Sequence, residues 1–186
     1  MKKLTLTCLV LLVYTMTFAQ WGGDEMAEKP SLRDRIFVGG GLGGLSFSSY
    51  YDYFALQGLV GYKITPKLAG GVQLQYRYTK YKQITPEFTA NDYSVAPFLR
   101  FNFYGPLFLH AEYEYLNYAG IYQSGETYRK GYNSFMAGGG FFQPIGSKAG
   151  FFLMALYNFS YKEAGQGDVS PYNSPFILRA GVTAGF

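Results

Sequence analysis

Sulfur and imidazole chemistry are nearly absent from this chain. The one cysteine, Cys8, lies in the first ten residues, and His110 is the sole histidine. One His and one Cys make no metal-ligand cluster and no disulfide framework. Long apolar runs are missing as well: beyond the first twenty residues nothing approaches the roughly 18 uninterrupted apolar residues of a membrane helix. Charge is sparse. The formal net charge of +4 falls to +2 once Lys2 and Lys3 are set aside, so no nucleic acid or strongly charged partner is implied. These absences leave no support for a metalloenzyme, a thiol enzyme, a helical membrane protein or a nucleic-acid binder.

What the chain does have is aromatic side chains and glycine: 19 Tyr, 17 Phe and 24 Gly, with aromatics at 20%. That is more aromatic surface than a soluble core of this size can bury. The chain also opens with an export signal. Lys2 and Lys3 precede an apolar stretch from Leu4 to Val13 and a small-residue site, Thr17-Phe18-Ala19, before Gln20. This layout predicts a signal peptide over residues 1–19, cut after Ala19; the run is too short to span a hydrocarbon core needing about 20 residues. Cys8 falls near the start of the run, where a lipoprotein anchor would need it at the end. Residues 20–34, including Trp21, Asp24, Glu25 and Glu28, lack strand periodicity and read as an unstructured periplasmic leader. The remaining 35–186 read as one domain.

An exported, aromatic chain without a membrane helix can place its apolar residues towards lipid on alternate positions of strands; a secreted β-sandwich is the competing class. Period-2 alternation is clear in five runs. Phe54–Ile64 sets Leu56, Val60 and Tyr62 against Ala55, Gln57 and Lys63. Leu68–Lys80 sets Val72, Leu74 and Tyr78 against Gln73, Gln75 and Arg77. Tyr93–Tyr104 sets Val95, Leu99, Phe101 and Phe103 against Ser94, Phe98, Arg100 and Asn102. The run from Leu107 sets Leu109, Tyr113 and Tyr115 against His110, Glu112 and Glu114, and Phe176–Phe186 sets Leu178 and Val182 against Arg179 and Thr183. Arg35–Ser48 is glycine-rich, suited to close interior packing or a bulge. Tyr132–Ile145 and Ala149–Tyr161 are apolar on both faces, with Phe151, Leu153 and Tyr157 assigned outward.

Eight runs predict an eight-stranded antiparallel up-and-down transmembrane barrel, all-β. The joints agree: Ser49–Asp52, Ile84–Asp92, Gln123–Gly131 and Gly165–Tyr172 are long or polar, and Thr65-Pro66, Gly105-Pro106 and Gly146-Ser147 are tight. Alternation of this kind separates an external rim from a periplasmic one. Only a closed sheet pairs all its backbone polar groups within hydrocarbon. Aromatic rings gather at two heights and read as girdles: Tyr78, Tyr81, Tyr115, Tyr118, Tyr157 and Tyr161 towards the long-joint rim, and Tyr62, Phe103, Tyr104, Phe151 and Phe186 towards the other.

The signal peptide, the alternating runs, the joint rhythm and a last strand ending on Phe186 together resemble the small eight-stranded outer-membrane barrels, the superfamily of the outer-membrane protein A transmembrane domain and the outer membrane protein beta-barrel domain. The resemblance covers about Arg35 to Phe186, and the Ala19-Gln20 junction is similar to many from Bacteroidota. It implies a place in a Gram-negative outer membrane, contact with lipid and lipopolysaccharide, and reading of Phe186 by the outer-membrane assembly machinery. It implies an architecture and no activity.

Lys63, Gln73, Gln75, Arg77, Arg100, Asn102, His110, Glu112, Glu114 and Arg179 share the lumen face. Eight strands enclose a space that side chains fill, so these residues read as a polar plug, and a conducting pore is the alternative. A three-residue loop at 105–107 predicts Asn102 opposite His110, Arg100 opposite Glu112 and Phe98 opposite Glu114. Arg100, Glu112, Glu114 and Arg179 would then form one ion-pair network, with Arg77 above it. No serine neighbours His110 on that face, so a hydrolase pair is not assembled, and the glycine runs precede no helix that could hold a phosphate. No catalytic residue, cofactor or metal is expected. The leading function is a non-enzymatic monomeric barrel with a structural or surface-interaction role, its loops open to a protein partner. A narrow porin-like channel is second. An accessory subunit of a larger complex and a lipid-modifying enzyme follow.

Overall fold

In a computed structural model the chain is described over residues 32–47, 49, 51–82, 88–122, 125–145, 148–162 and 170–185. The expected signal peptide, most of the leader and Phe186 lie outside the described residues. A single helical turn, α1 (Leu32–Arg35), precedes eight strands: β1 (Ile36–Phe47), β2 (Tyr51–Lys63), β3 (Leu68–Tyr81), β4 (Phe88–Tyr104), β5 (Leu107–Ile121), β6 (Thr127–Ile145), β7 (Ala149–Asn158) and β8 (Phe176–Ala184). Each pairs antiparallel with its neighbour in sequence, and β1 returns to β8 from Val38↔Ala184 to Leu42↔Ala180, so the barrel closes. Closure removes every open edge. The fold class expected from alternation is the fold observed.

Alternation sorts the two faces as read. Leu56, Val60, Val72, Leu74, Leu99, Leu109, Leu153, Leu178 and Val182 stand exposed around the outside, while Gln57, Gln73, Gln75, Arg77, Arg100, Glu112 and Arg179 are buried within. The glycine-rich first strand carries a bulge between Leu42 and Gly44, consistent with the weak ladder that glycine gives.

Strand limits differ from the sequence reading in one consistent way. β3, β4, β5 and β6 run further towards the long-joint rim than expected, so the third joint shrinks to 82–87 and the fifth to 122–126. The first joint is only 48–50. The polar stretches taken for loop are strand because they are partnered: Tyr81 stacks on Phe88 at 5.8 Å, and Arg77 bonds Asp92 at 3.3 Å. Only the seventh joint, between Asn158 and Phe176, is long. Its residue Tyr172 packs against the interior cluster.

Candidate functional site in the barrel lumen

The lumen divides by height into two halves of different chemistry. Towards the rim of short turns the filling is aromatic. Phe37, Phe98, Phe108 and Phe152 are all buried, and each faces a glycine on the adjoining strand: Phe37↔Gly61, Phe98↔Gly71, Phe108↔Gly140 and Phe152↔Gly181. The rings occupy the space a side chain would need. A Cβ added at Gly61 would meet the Phe37 ring at 2.1 Å, and one at Gly140 the Phe108 ring at 2.4 Å. A ring laid over a glycine excludes water from the exposed backbone and locks the register of that strand pair.

Arg100 sits among these rings. Its guanidinium carbon lies 4.4 Å from the Phe108 ring centre, 5.3 Å from Phe152 and 5.9 Å from Phe98, within cation–π range. It does not face Glu112. The observed register is Arg100↔His110, Phe98↔Glu112 and Asn102↔Phe108, two residues away from the expected one. The turn at Gly105-Pro106 is tighter than a three-residue loop, with Tyr104↔Leu107 closing it and a register shift between Asn102 and Tyr104. Gly105 takes φ +49° there, a conformation that glycine adopts without steric cost. The extra residue at 103 turns Asn102 out to the rim, where it is exposed, and its backbone N–H donates to Lys67 O at 2.8 Å.

Glu112, at mid-height and 2% exposed, takes Arg179 instead. Arg179 Nη1 donates to Glu112 Oε2 at 2.6 Å, and His110 Nε2 lies 3.0 Å from the same oxygen. His110 also stacks on Phe98 with ring centres 5.2 Å apart. The expected four-member network therefore resolves into smaller sets. Glu112 and Arg179 pair as anticipated, Arg100 stands apart, and Glu114 accepts a hydrogen bond from the Tyr172 hydroxyl. Nearer the loop rim Arg77 bonds Asp92 at 3.3 Å and lies 4.9 Å from the Tyr172 ring centre, and Asp92 also accepts from Ala119 N at 2.9 Å. Asp92 and Tyr172 were missed from sequence. Asp92 was assigned to a loop, although it shares the even parity of Ser94 and Arg100, which would have found it.

Cavities remain at both ends. The turn-side one, about 380 Å³, is lined by Lys63, Lys67, Arg100, Asn102 and Phe108 among others; two loop-side ones, about 360 and 330 Å³, share Tyr53 and Arg77. Between the ends lie Glu112, Met136, Phe152 and Met154, none more than 2% exposed. Of the expected girdle, Tyr62, Tyr78, Phe103, Tyr104, Tyr115, Phe151 and Tyr157 keep the outward parity. Tyr81 and Tyr118 do not: each shares the inward parity of its strand and lines the loop-side mouth. Tyr161 lies just past β7, its N–H bonded to Asn158 O at 3.2 Å. No group of three or more His, Cys, Asp or Glu is gathered among the described residues.

Comparison with protein-family models finds no match, and comparison with curated proteins finds none either. Among solved structures the chain is similar to the N-terminal β-barrel domain of Pseudomonas aeruginosa OprF, at 13% identity over 81% of this chain and 96% of that one, with a TM-score of 0.46. No residue role is carried across at that level of likeness.

Proposed function

We propose that the chain is an outer-membrane β-barrel whose lumen is filled by its own side chains, and whose role is structural or lies in contacts made by its loop rim. The observation that carries this reading is the pairing of an apolar exterior with a filled interior. The outward band of Leu, Val and aromatic side chains suits hydrocarbon flanked by interfaces, and the closed ladder satisfies the backbone there. The mid-height layer of Glu112, Arg179, Met136 and Phe152 leaves no aqueous path in this conformation. A non-catalytic role follows from the position of His110, walled in by Phe98 and Glu112 with no room for a substrate carbonyl.

A narrow channel for small solutes is the second reading, favoured by the cavities that enter from both ends. Planar-bilayer recording on refolded, heat-modifiable protein decides between them. The occluded barrel gives no steady conductance steps. Reproducible steps at low voltage, altered by Arg179 or Glu112 substitutions, would overturn the occluded reading.

A further inference from the structure

The lumen holds three deeply buried arginines, and two of them have carboxylates. Arg77 has Asp92 and Arg179 has Glu112. Arg100 is 6% exposed, and its Nε and Nη2 have no hydrogen-bond partner. Its surroundings are the rings of Phe98, Phe108 and Phe152, which attract the cation but accept no directed hydrogen bond. A guanidinium carries five donors and stays charged; buried with donors unmet, it is costly to hold.

Arg100 also forms the inner wall of the turn-side cavity. Lys63 and Lys67 stand nearer its mouth, Thr65 and Asn102 contribute further polar groups, and no acidic side chain is among the residues that line it. Three cations around a recess with apolar walls focus a positive potential inward. The opposite end differs, since there Arg77 has already been neutralised by Asp92.

We infer that the turn-side vestibule binds an oxyanion, a phosphate or carboxylate group, which enters from the short-turn rim and is held at its inner end by the free donors of Arg100, with Lys63 and Lys67 drawing it in. A planar guanidinium offers such a group two parallel N–H donors. The same chemistry is presented by a soluble phosphate and by the headgroup of an anionic phospholipid at that rim. This goes beyond the occluded-barrel reading and stands or falls separately from it, because binding at one closed end requires no conduction.

The test uses the full chain refolded in maltoside micelles, which carry no phosphate, with inorganic phosphate as probe. Two readouts are followed: the thermal midpoint of heat-modifiable migration and the Nε–H resonances of the arginines. In the wild type phosphate raises the midpoint saturably, as any ligand of the folded state does, and shifts one arginine resonance that is absent from Arg100→Met. That variant binds at least about tenfold more weakly, the loss expected for a charge-assisted pair of hydrogen bonds; Lys67→Gln weakens binding less. Doping the micelles with phosphatidylglycerol then identifies the source: competition with phosphate assigns a lipid headgroup, and no competition assigns a soluble anion. If wild-type protein shows no saturable response at millimolar phosphate, or if Arg100→Met retains it in full, the site does not exist. The resonance shift in wild-type protein stands as evidence even if the variant folds poorly.

Discussion

The two halves of the lumen solve the same packing problem with different chemistry. Both must fill the inside of a closed sheet, and both contain buried arginine. On the loop side each charge is answered by another or by a hydroxyl: Arg77 by Asp92, Arg179 by Glu112, Glu114 by Tyr172. On the turn side the filling is phenylalanine over glycine, and Arg100 lies in it without a carboxylate. Paired charges fix register by direction, because a salt bridge between two strands tolerates little slip. Phe–Gly pairs fix it by shape, because only the strand position lacking a side chain admits the ring. The comparison teaches that an apolar plug and an ionic plug can be stacked in one small barrel, and the following tests set the two against each other.

The largest effect belongs to the ionic layer. Glu112→Ala leaves Arg179 buried without its partner, and loss of one member of a buried pair costs about 3–5 kcal/mol. The double variant Glu112→Leu with Arg179→Met removes both charges and recovers much of that loss. Urea unfolding from lipid vesicles reads the difference. If the single and double variants are equally unstable, the pair is not what holds the layer.

Next comes the aromatic layer. A Cβ at Gly71 would lie 2.3 Å from Val60 O and 2.7 Å from the Phe98 ring, and one at Gly58 on the outer face would meet nothing within 4 Å. Overpacking costs about 1–3 kcal/mol where neighbours cannot move. Gly71→Ala is therefore expected to destabilise by that amount, and Gly58→Ala to leave stability unchanged or slightly raised. Equal outcomes at the two glycines would show that the ring-over-glycine contact is not a packing constraint.

Smaller again is the link between the long seventh joint and the barrel. Tyr172→Phe removes the hydroxyl that donates to Glu114, leaving a buried carboxylate short of a partner at a cost of about 1–3 kcal/mol. Protease sensitivity of the seventh joint is expected to rise with it. An unchanged digestion pattern would show that Tyr172 is not an anchor.

Why one half was more legible than the other follows from the same contrast. Alternation exposes polar residues on a lipid-facing barrel, so Gln73, Gln75, Arg77, Glu112, Glu114 and Arg179 stood out as lumen residues, and the strand count came with them. Aromatic residues carry no such mark, because phenylalanine suits lipid and interior alike. Phe37 and Phe152 therefore escaped notice, although a glycine at matching parity on the next strand was a readable sign. Register across Gly105-Pro106 was not legible at all. One extra residue at 103 shifts the pairing without altering any hydrophobic pattern, and that shift moved Arg100 from Glu112 to His110. Tyr172 lay in a stretch with no period to read. It reaches the interior because Glu114 at mid-barrel has a free carboxylate oxygen to accept from it.

The smallest expected effect is the one that separates the halves most sharply, because it is the same substitution made at two heights. Arg179→Met strands the Glu112 carboxylate in a layer where it keeps only His110 as partner, and an uncompensated buried charge is expensive. Arg100→Met removes a cation that has no carboxylate. It forfeits the attraction of three rings, about 1–2 kcal/mol at a desolvated site, but it also removes the desolvation cost of the guanidinium and gives a flexible apolar side chain to an aromatic pocket, where sulfur–ring contacts are favourable. The two terms nearly cancel, so the net change is expected within about 1 kcal/mol. Measured side by side in phosphate-free micelles, Arg179→Met should unfold at much lower denaturant than Arg100→Met, which should track the wild type. If both variants fall together, Arg100 has a partner as strong as that of Arg179, and the division of the lumen into an ionic half and an aromatic half fails.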